Sequence, residues 1–172
     1  AGDGCMQEGI SAEAAAIAGV MKLGNLVLMY DSNDVTLDAD ASKTMSEDTA
    51  MRFESYGWEV SKCDGHDIPA VRKTLLAARD STSDKPKLVI FKTVIAKGIP
   101  EVENSAKGHG EGGAKFADEA KKNLGLPAEK FRVSAQTREF FDGVKAERAK
   151  ISAEWDELFA KWKADNPEKA AE

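Results

Sequence analysis

Residues 26–33 read Leu26-Val27-Leu28-Met29-Tyr30-Asp31-Ser32-Asn33. Five apolar or aromatic residues in a row, closed by polar turn formers, have the length of one strand. Without an in-out alternation, the run predicts a strand buried on both faces, as in a parallel sheet covered by helices. The flanking chain agrees. From about Glu8 to Lys22 the sequence is Ala-rich, and Ile10, Ala14, Ile17, Ala18 and Met21 recur at helical spacing. Gly24 stops that helix. Downstream, Ser46 with Asp48-Thr49 opens a helix through Met51, Phe53 and Tyr56 that Gly57 ends. Trp58 to Cys63 is a second strand, and Asp67 caps a helix that begins at Ile68-Pro69 and runs to about Asp80. After the turn Ser81 to Pro86, Leu88-Val89-Ile90-Phe91 is a third apolar strand. Helices and strands in alternation predict an α/β fold with right-handed crossovers: a mostly parallel sheet flanked by helices.

Past Thr93 the periodicity stops. Residues 95–114 carry Gly98, Pro100, Gly108, Gly110, Gly112 and Gly113, and read as a long functional loop. A short helix is predicted near Lys115–Leu124, before Leu126-Pro127. From about Gln136 to Ala164, Phe140, Phe141, Val144, Ile151, Trp155, Leu158, Phe159 and Trp162 recur at helical spacing. Arg148 shares their face, its stem lying along apolar surface while its head reaches water. This is a long amphipathic helix, expected to pack on the sheet domain or a partner, and Asn166-Pro167 ends it. The expected organisation is a partial α/β domain over 1–135, then this helix and the start of an interdomain linker over 136–172.

Composition sets bounds on function. The chain has 172 residues, 42% hydrophobic and 31% charged, enough for one real core. Its net charge is −6 and it has no long basic run, which argues against nucleic acid or an anionic membrane as partner. Cys5 and Cys63 are isolated, with no zinc spacing, as in a reducing, cytoplasmic setting. No apolar run is long enough to cross a bilayer, and no signal peptide is visible. Residue 1 is Ala, and the chemistry described next begins at residue 2, so the reading is a piece of a larger enzyme, incomplete at its N-terminus.

That chemistry is Gly2-Asp3-Gly4, with Asn33 thirty residues on. Asp3 offers a carboxylate at a strand-to-helix turn, and the glycines permit tight backbone geometry there. The helix that follows directs its N-terminus to the same place, which favours phosphate oxygens. Asn33 lies just past the C-terminal end of the next strand, and parallel strands bring their C-terminal ends to one edge. One carboxylate, one amide oxygen and a backbone carbonyl near Val35 are oxygen ligands for Mg²⁺, with phosphate and water completing its octahedron. An EF-hand fails, because the sixth and twelfth positions counted from Asp31 are Thr36 and Ser42.

Longer stretches carry a resemblance. Gly2-Asp3-Gly4-Cys5-Met6-Gln7-Glu8-Gly9-Ile10-Ser11, then Glu13-Ala14, Asn25-Leu26 and Tyr30-Asp31-Ser32-Asn33, resemble the thiamine diphosphate signature in its transketolase form. Residues Arg52 to Val60, Asp64-Gly65-His66-Asp67, Lys85-Pro86 with Leu88, and Lys92-Thr93 are similar to the same family, so the resemblance spans essentially the whole chain. It implies a thiamine-diphosphate-binding fold. It also implies a ketol transfer between ketose and aldose phosphates, with thiamine diphosphate and Mg²⁺ (or Ca²⁺) as cofactors and a homodimer in the complete protein. Asp3, Asn33 and the Val35 carbonyl are the implied metal ligands. Gly2, Asp3, Gly4, Glu8, Asn33, Leu37 and His109 are the implied cofactor-binding residues, with Gly4 against the diphosphate. His109 is the implied catalytic residue, facing the cofactor's reactive end. The family continues its His-Gly into an Ala-Pro-Leu-like run, where this chain has Glu111-Gly112-Gly113. His66 is expected only to cap or pack. The resemblance further implies that an upstream segment and a second, pyrimidine-gripping domain complete the enzyme, and that this chain alone is inactive. Alternatives within the superfamily are a deoxyxylulose-phosphate or dihydroxyacetone synthase. Outside catalysis, the alternative is a binding or assembly subunit that needs a partner chain.

Overall fold

The computed structural model describes residues 1–110 and 115–171; Glu111-Gly112-Gly113, and the departure they mark, lie outside the described residues. In chain order the elements are α1 (Asp3–Gln7), α2 (Gly9–Val20), β1 (Val27–Ser32), α3 (Thr49–Ser55), β2 (Glu59–Asp64), α4 (Ile68–Asp80), β3 (Lys87–Lys92), α5 (Ala117–Asn123), α6 (Ala135–Asp165) and α7 (Pro167–Ala171). Single 3₁₀ turns stand at Ala41–Lys43 and Ala106–Gly108. The chain divides into two units, Ala1–Leu126 and Pro127–Glu172.

The three strands form one parallel sheet in the order β1-β3-β2. Tyr30 lies opposite Ile90, and Val60 opposite Leu88. Beside β1, Gly2 makes a parallel bridge to Asp31, the Asp31 amide donates to the Ala1 carbonyl at 2.8 Å, and the Ala1 amino group donates to the Met29 carbonyl at 2.8 Å. Local signals explain the helix starts. The Asp48 carboxylate accepts the Met51 amide at 3.1 Å to begin α3, and the Asp67 carboxylate accepts the Ala70 amide at 3.1 Å to begin α4.

The core lies on one face of the sheet, where Leu88, Ile90 and Tyr30 meet Met6, Ala15, Ala18, Ala50, Phe53 and Trp58. Phe53 packs edge-on against Trp58 at 5.1 Å between ring centroids, and the Trp58 indole donates to the Ala15 carbonyl at 2.8 Å. This contact decides which way α2 faces, and of the expected stripe it buries only Ala18. Ala15 and Ala18 are buried, whereas Ile10, Ile17 and Met21 are exposed. The reason is distance. A Cβ on Gly19 would stand 1.8 Å from the Tyr56 carbonyl oxygen, so only the small-residue face of α2 can approach so closely. The predicted helix over 8–22 is α2, and a further short helix, α1, precedes it, with Glu8, at φ −66° and ψ 135°, breaking the chain between the two.

Burial of β1 on both faces is likewise not observed. Tyr30 is buried on the core face, but Met29 and Asp31 on the other are exposed. On that side α4 packs on β2 and β3. The segment after β3 is no open loop either. The Asn104 amide donates to the Ile95 carbonyl at 3.0 Å, and Ile99 and Val102 are buried, so residues 95–104 close on themselves.

In the second unit α6 runs for 31 residues, capped by Ser134, whose hydroxyl accepts the Thr137 amide at 3.1 Å. Trp155, Phe159 and Trp162 stack in sequence at 4.8 and 5.8 Å between ring centroids. Asn166 ends α6 and Pro167 opens α7, as the sequence predicts for that boundary.

Candidate functional site

Because Gly2 is bridged to Asp31, the first turn of α1 hangs over the C-terminal end of β1. Asp3 is buried there, 3% exposed. Its Oδ1 accepts the Tyr30 hydroxyl at 2.7 Å, and its Oδ2 accepts the backbone amides of Asn33 at 2.9 Å and Asp34 at 3.0 Å. A carboxylate has about four lone-pair positions. Two donors occupy Oδ2 and one occupies Oδ1, so the position left over is on Oδ1. Burial, and then the hydrogen bond to Asp3, push the Tyr30 phenol up to about 12, so Tyr30 stays protonated and remains a donor.

Asn33 is buried next to this carboxylate. Its amide oxygen accepts the Val35 amide at 3.1 Å and its amide nitrogen donates to Asp31 Oδ2 at 3.2 Å, which fixes how the side chain is flipped. Asp34 takes a left-handed φ of 64°, turning the chain so that Val35 bridges Asp40 in antiparallel fashion. The ladder bonds beside this bridge run from Thr36 N to Ala39 O and from Ala41 N to Asp34 O, both 2.8 Å. The Val35 amide and carbonyl therefore face away from Asp40, on the side of Asn33. Asp3, Asn33 and Val35, predicted from spacing and resemblance, are thus neighbours.

A cavity of about 740 Å³ opens beside them, lined by Asp3, Tyr30, Ser32, Asp34, Thr49, Lys62 and Lys92, among others. Lys92 pairs with Asp34, and the Thr93 hydroxyl donates to Asp31. The lining also carries Glu47 and Asp48, so the two lysines stand among four carboxylates.

Other predicted residues stand apart. Glu8 lies beyond α1 and lines a separate cavity of about 290 Å³ with Gln7, Gly9 and Arg52. Leu37 is 75% exposed and lines neither cavity. Gly4 follows Asp3 in α1, and a Cβ there would meet open space. His109 follows the 3₁₀ turn, with Nδ1 at 3.2 Å from the Ala106 carbonyl. A carbonyl only accepts, so Nδ1 carries a proton, and Nε2 has no hydrogen bond to the other described residues. His109 is not among the residues lining the cavity beside Asp3. Sequence reasoning missed Tyr30, Lys62 and Lys92. The signal for Tyr30 was a polar tip at the end of an apolar strand, three residues before Asn33.

Residues 1–172 match the family described as transketolase, thiamine diphosphate binding domain. A transketolase of Physarum polycephalum is 53% identical over 172 residues, covering 99% of this chain and 26% of its own length. A transketolase of Dictyostelium discoideum is 56% identical over 142 residues, covering 82% and 22%. A crystal structure of Pichia stipitis transketolase in complex with sedoheptulose 7-phosphate superposes with a TM-score of 0.84 at 34% identity, covering 99% of this chain and 25% of that one. Transketolase from Leishmania mexicana gives a TM-score of 0.85 at 29% identity, covering 99% and 26%. The chain belongs to the transketolase family, and it spans about a quarter of the length of the curated relatives it matches.

Proposed function

We propose that this chain, as a member of the transketolase family, holds thiamine diphosphate through a divalent cation. The cation is Mg²⁺, or Ca²⁺ in its place. In the complete protein it serves the transfer of a two-carbon ketol unit between ketose and aldose phosphates. The observation that carries the reading is the buried Asp3 carboxylate, with an uncommitted position on Oδ1 and with Oδ2 tied to the backbone amide of buried Asn33. Among the described residues no three His, Cys, Asp or Glu side chains gather to hold a metal. One carboxylate, one amide and one backbone carbonyl suit a hard cation that takes its other oxygens from a diphosphate and water.

Asp3, Asn33 and the Val35 carbonyl would hold the cation, and Gly4 would leave room for the diphosphate. Tyr30 keeps Asp3 in one rotamer, so little side-chain entropy is lost when a ligand arrives. Lys62 and Lys92 stand among the carboxylates of Asp3, Asp34, Glu47 and Asp48 in the cavity lining, so a bound divalent cation is what would turn the local charge towards a diphosphate. The bound cofactor supplies the carbanion chemistry, which no side chain provides alone. His109, with Nε2 available as an acceptor, is the group of this chain suited to receive a substrate hydroxyl proton. Sugar phosphates as substrates, a homodimer and a cytoplasmic setting belong to the same reading. No described helix is long and apolar enough to cross a membrane.

The experiment is calorimetric titration of thiamine diphosphate into the complete protein, with and without Mg²⁺, for wild type and Asn33→Ala. The expected result is cation-dependent binding that Asn33→Ala weakens about 10- to 100-fold. Equal affinity in the two proteins rejects the site.

A further inference from the structure

The loop between β3 and His109 is stiff inside but narrow at its neck. Inside, Asn104 closes onto Ile95, Ile99 and Val102 are buried, and the Gly108 amide donates to the Ser105 carbonyl at 2.9 Å. The Ala106 carbonyl then takes the His109 Nδ1–H. A segment tied together in this way moves as one piece, held through the Gly98 carbonyl, which accepts the Asn123 side-chain amide at 3.1 Å, and at the neck, residues 93–95, which is the end that leads out of the sheet.

On one side the neck is held by the β1 end, where the Thr93 amide donates to the Ser32 carbonyl at 3.1 Å and its hydroxyl to Asp31. There the ladder stops. The next amide, that of Val94, donates instead to His66 Nε2 at 2.8 Å, across 28 residues of sequence. His66 reaches this point because the turn after β2 lies directly on the β3 exit. The Gly65 amide donates to the Lys92 carbonyl at 2.8 Å, and the His66 amide to Asp64 Oδ1 at 2.8 Å. A Cβ at Gly65 would come within 2.4 Å of Thr93 Cγ2, so residue 65 can only be glycine without a shift of the neck. A ring nitrogen that accepts an amide proton is unprotonated, so the neutral His66 ring carries its hydrogen on Nδ1.

We propose that His66 is a positioning residue: its Nε2 clamps the Val94 amide and so sets where the 94–110 segment presents His109. The proposal rests on the reading of His109 as the group that meets substrate. It replaces the expectation that His66 only caps or packs.

The test uses the complete protein that carries this chain, as wild type, His66→Ala, His66→Gln, His109→Ala and the double variant His66→Ala/His109→Ala. Glutamine offers an acceptor oxygen at similar reach. Loss of one hydrogen bond of this kind should speed Val94 amide exchange about tenfold in His66→Ala, and His66→Gln should restore most of the protection. Nitrogen-15 spectra of wild type should show Nε2 unprotonated and the proton on Nδ1. Turnover in His66→Ala should fall about fivefold with KM and cofactor affinity nearly unchanged, and this loss should vanish in the His109→Ala background. Three results overturn the proposal: unchanged Val94 exchange in His66→Ala, a wild-type proton on Nε2, or a turnover loss that persists undiminished without His109. If His109→Ala alone leaves turnover intact, the role of His109 fails, while Val94 exchange and the tautomer still decide the clamp. Should His66→Ala not fold, the wild-type tautomer and His66→Gln decide it.

Discussion

The two ends of the sheet solve the same chemical problem in opposite ways. At the end where the strands begin, buried Lys87 donates its ammonium to the carbonyls of Gly24 at 2.6 Å and Ser83 at 3.0 Å. The oxygens that close two turns there receive a cation from the chain itself. At the end where the strands finish, the carboxylate oxygens of Asp3 and the amide oxygen of Asn33 receive only neutral donors: a phenol and backbone amides. A buried charge matched by the chain is a fastening. Buried oxygens met only by neutral donors are what the proposed cation site requires.

The largest effect expected from this contrast is at Asp3. Asp3→Ala should abolish Mg²⁺-dependent thiamine diphosphate binding in the complete protein, because a methyl group cannot replace an anionic ligand. Calorimetry that finds wild-type affinity would collapse the distinction between the two ends. Lys87→Met should do the reverse. It strands two carbonyls and should cost about 3 kcal/mol in denaturant unfolding. Below its melting temperature, cofactor affinity should stay within about twofold of wild type, since the effect is structural. A loss of affinity with no loss of stability would show that the far end also serves the site.

Tyr30→Phe sharpens the comparison. It removes the donor that orients Asp3 Oδ1 but no ligand, so metal-dependent affinity should fall by about tenfold. Affinity equal to wild type would mean that the two backbone amides alone hold the carboxylate. The smallest effect is expected at Lys22, whose exposed ion pair with Asp84 at 2.8 Å stands at the Lys87 end. Lys22→Ala should leave the unfolding midpoint within measurement scatter, and a clear shift would mean that surface charge shares the work of Lys87.

What could be read from the sequence was local or carried by spacing. Asp67 with Ile68-Pro69 announces α4 within four residues, and Gly2-Asp3-Gly4 with Asn33 announces that Asp3 and Asn33 meet at the end of β1. What could not be read depends on contacts between distant residues. Ile10, Ile17 and Met21 form a helical stripe, yet α2 presents Ala15, Ala18 and Gly19 to the protein, because Tyr56 comes too close for anything larger. Met29 sits in a continuous apolar run, but how far α4 reaches is not encoded in that run. The fold of 95–104 turns on two buried side chains, Ile99 and Val102, that have no period to announce them. Glu8 and Leu37 came from resemblance alone, and the cavity beside Asp3 is lined by neither.

The Asp3 contacts have a consequence for folding kinetics. The caps at Asp48 and Asp67 close over three residues and can form early, but Asp3 reaches Tyr30, Asn33 and Asp34 across 27 to 31 residues. Asp3 joins residues at the very end of β1, and if those contacts close only once the sheet has fixed that end, they lie beyond the folding transition state. A ligand seated on Asp3 should therefore lengthen the lifetime of the folded chain while leaving its rate of folding unchanged. Double-jump stopped-flow would show it as an unfolding limb that drops with cation and cofactor and a folding limb that does not move.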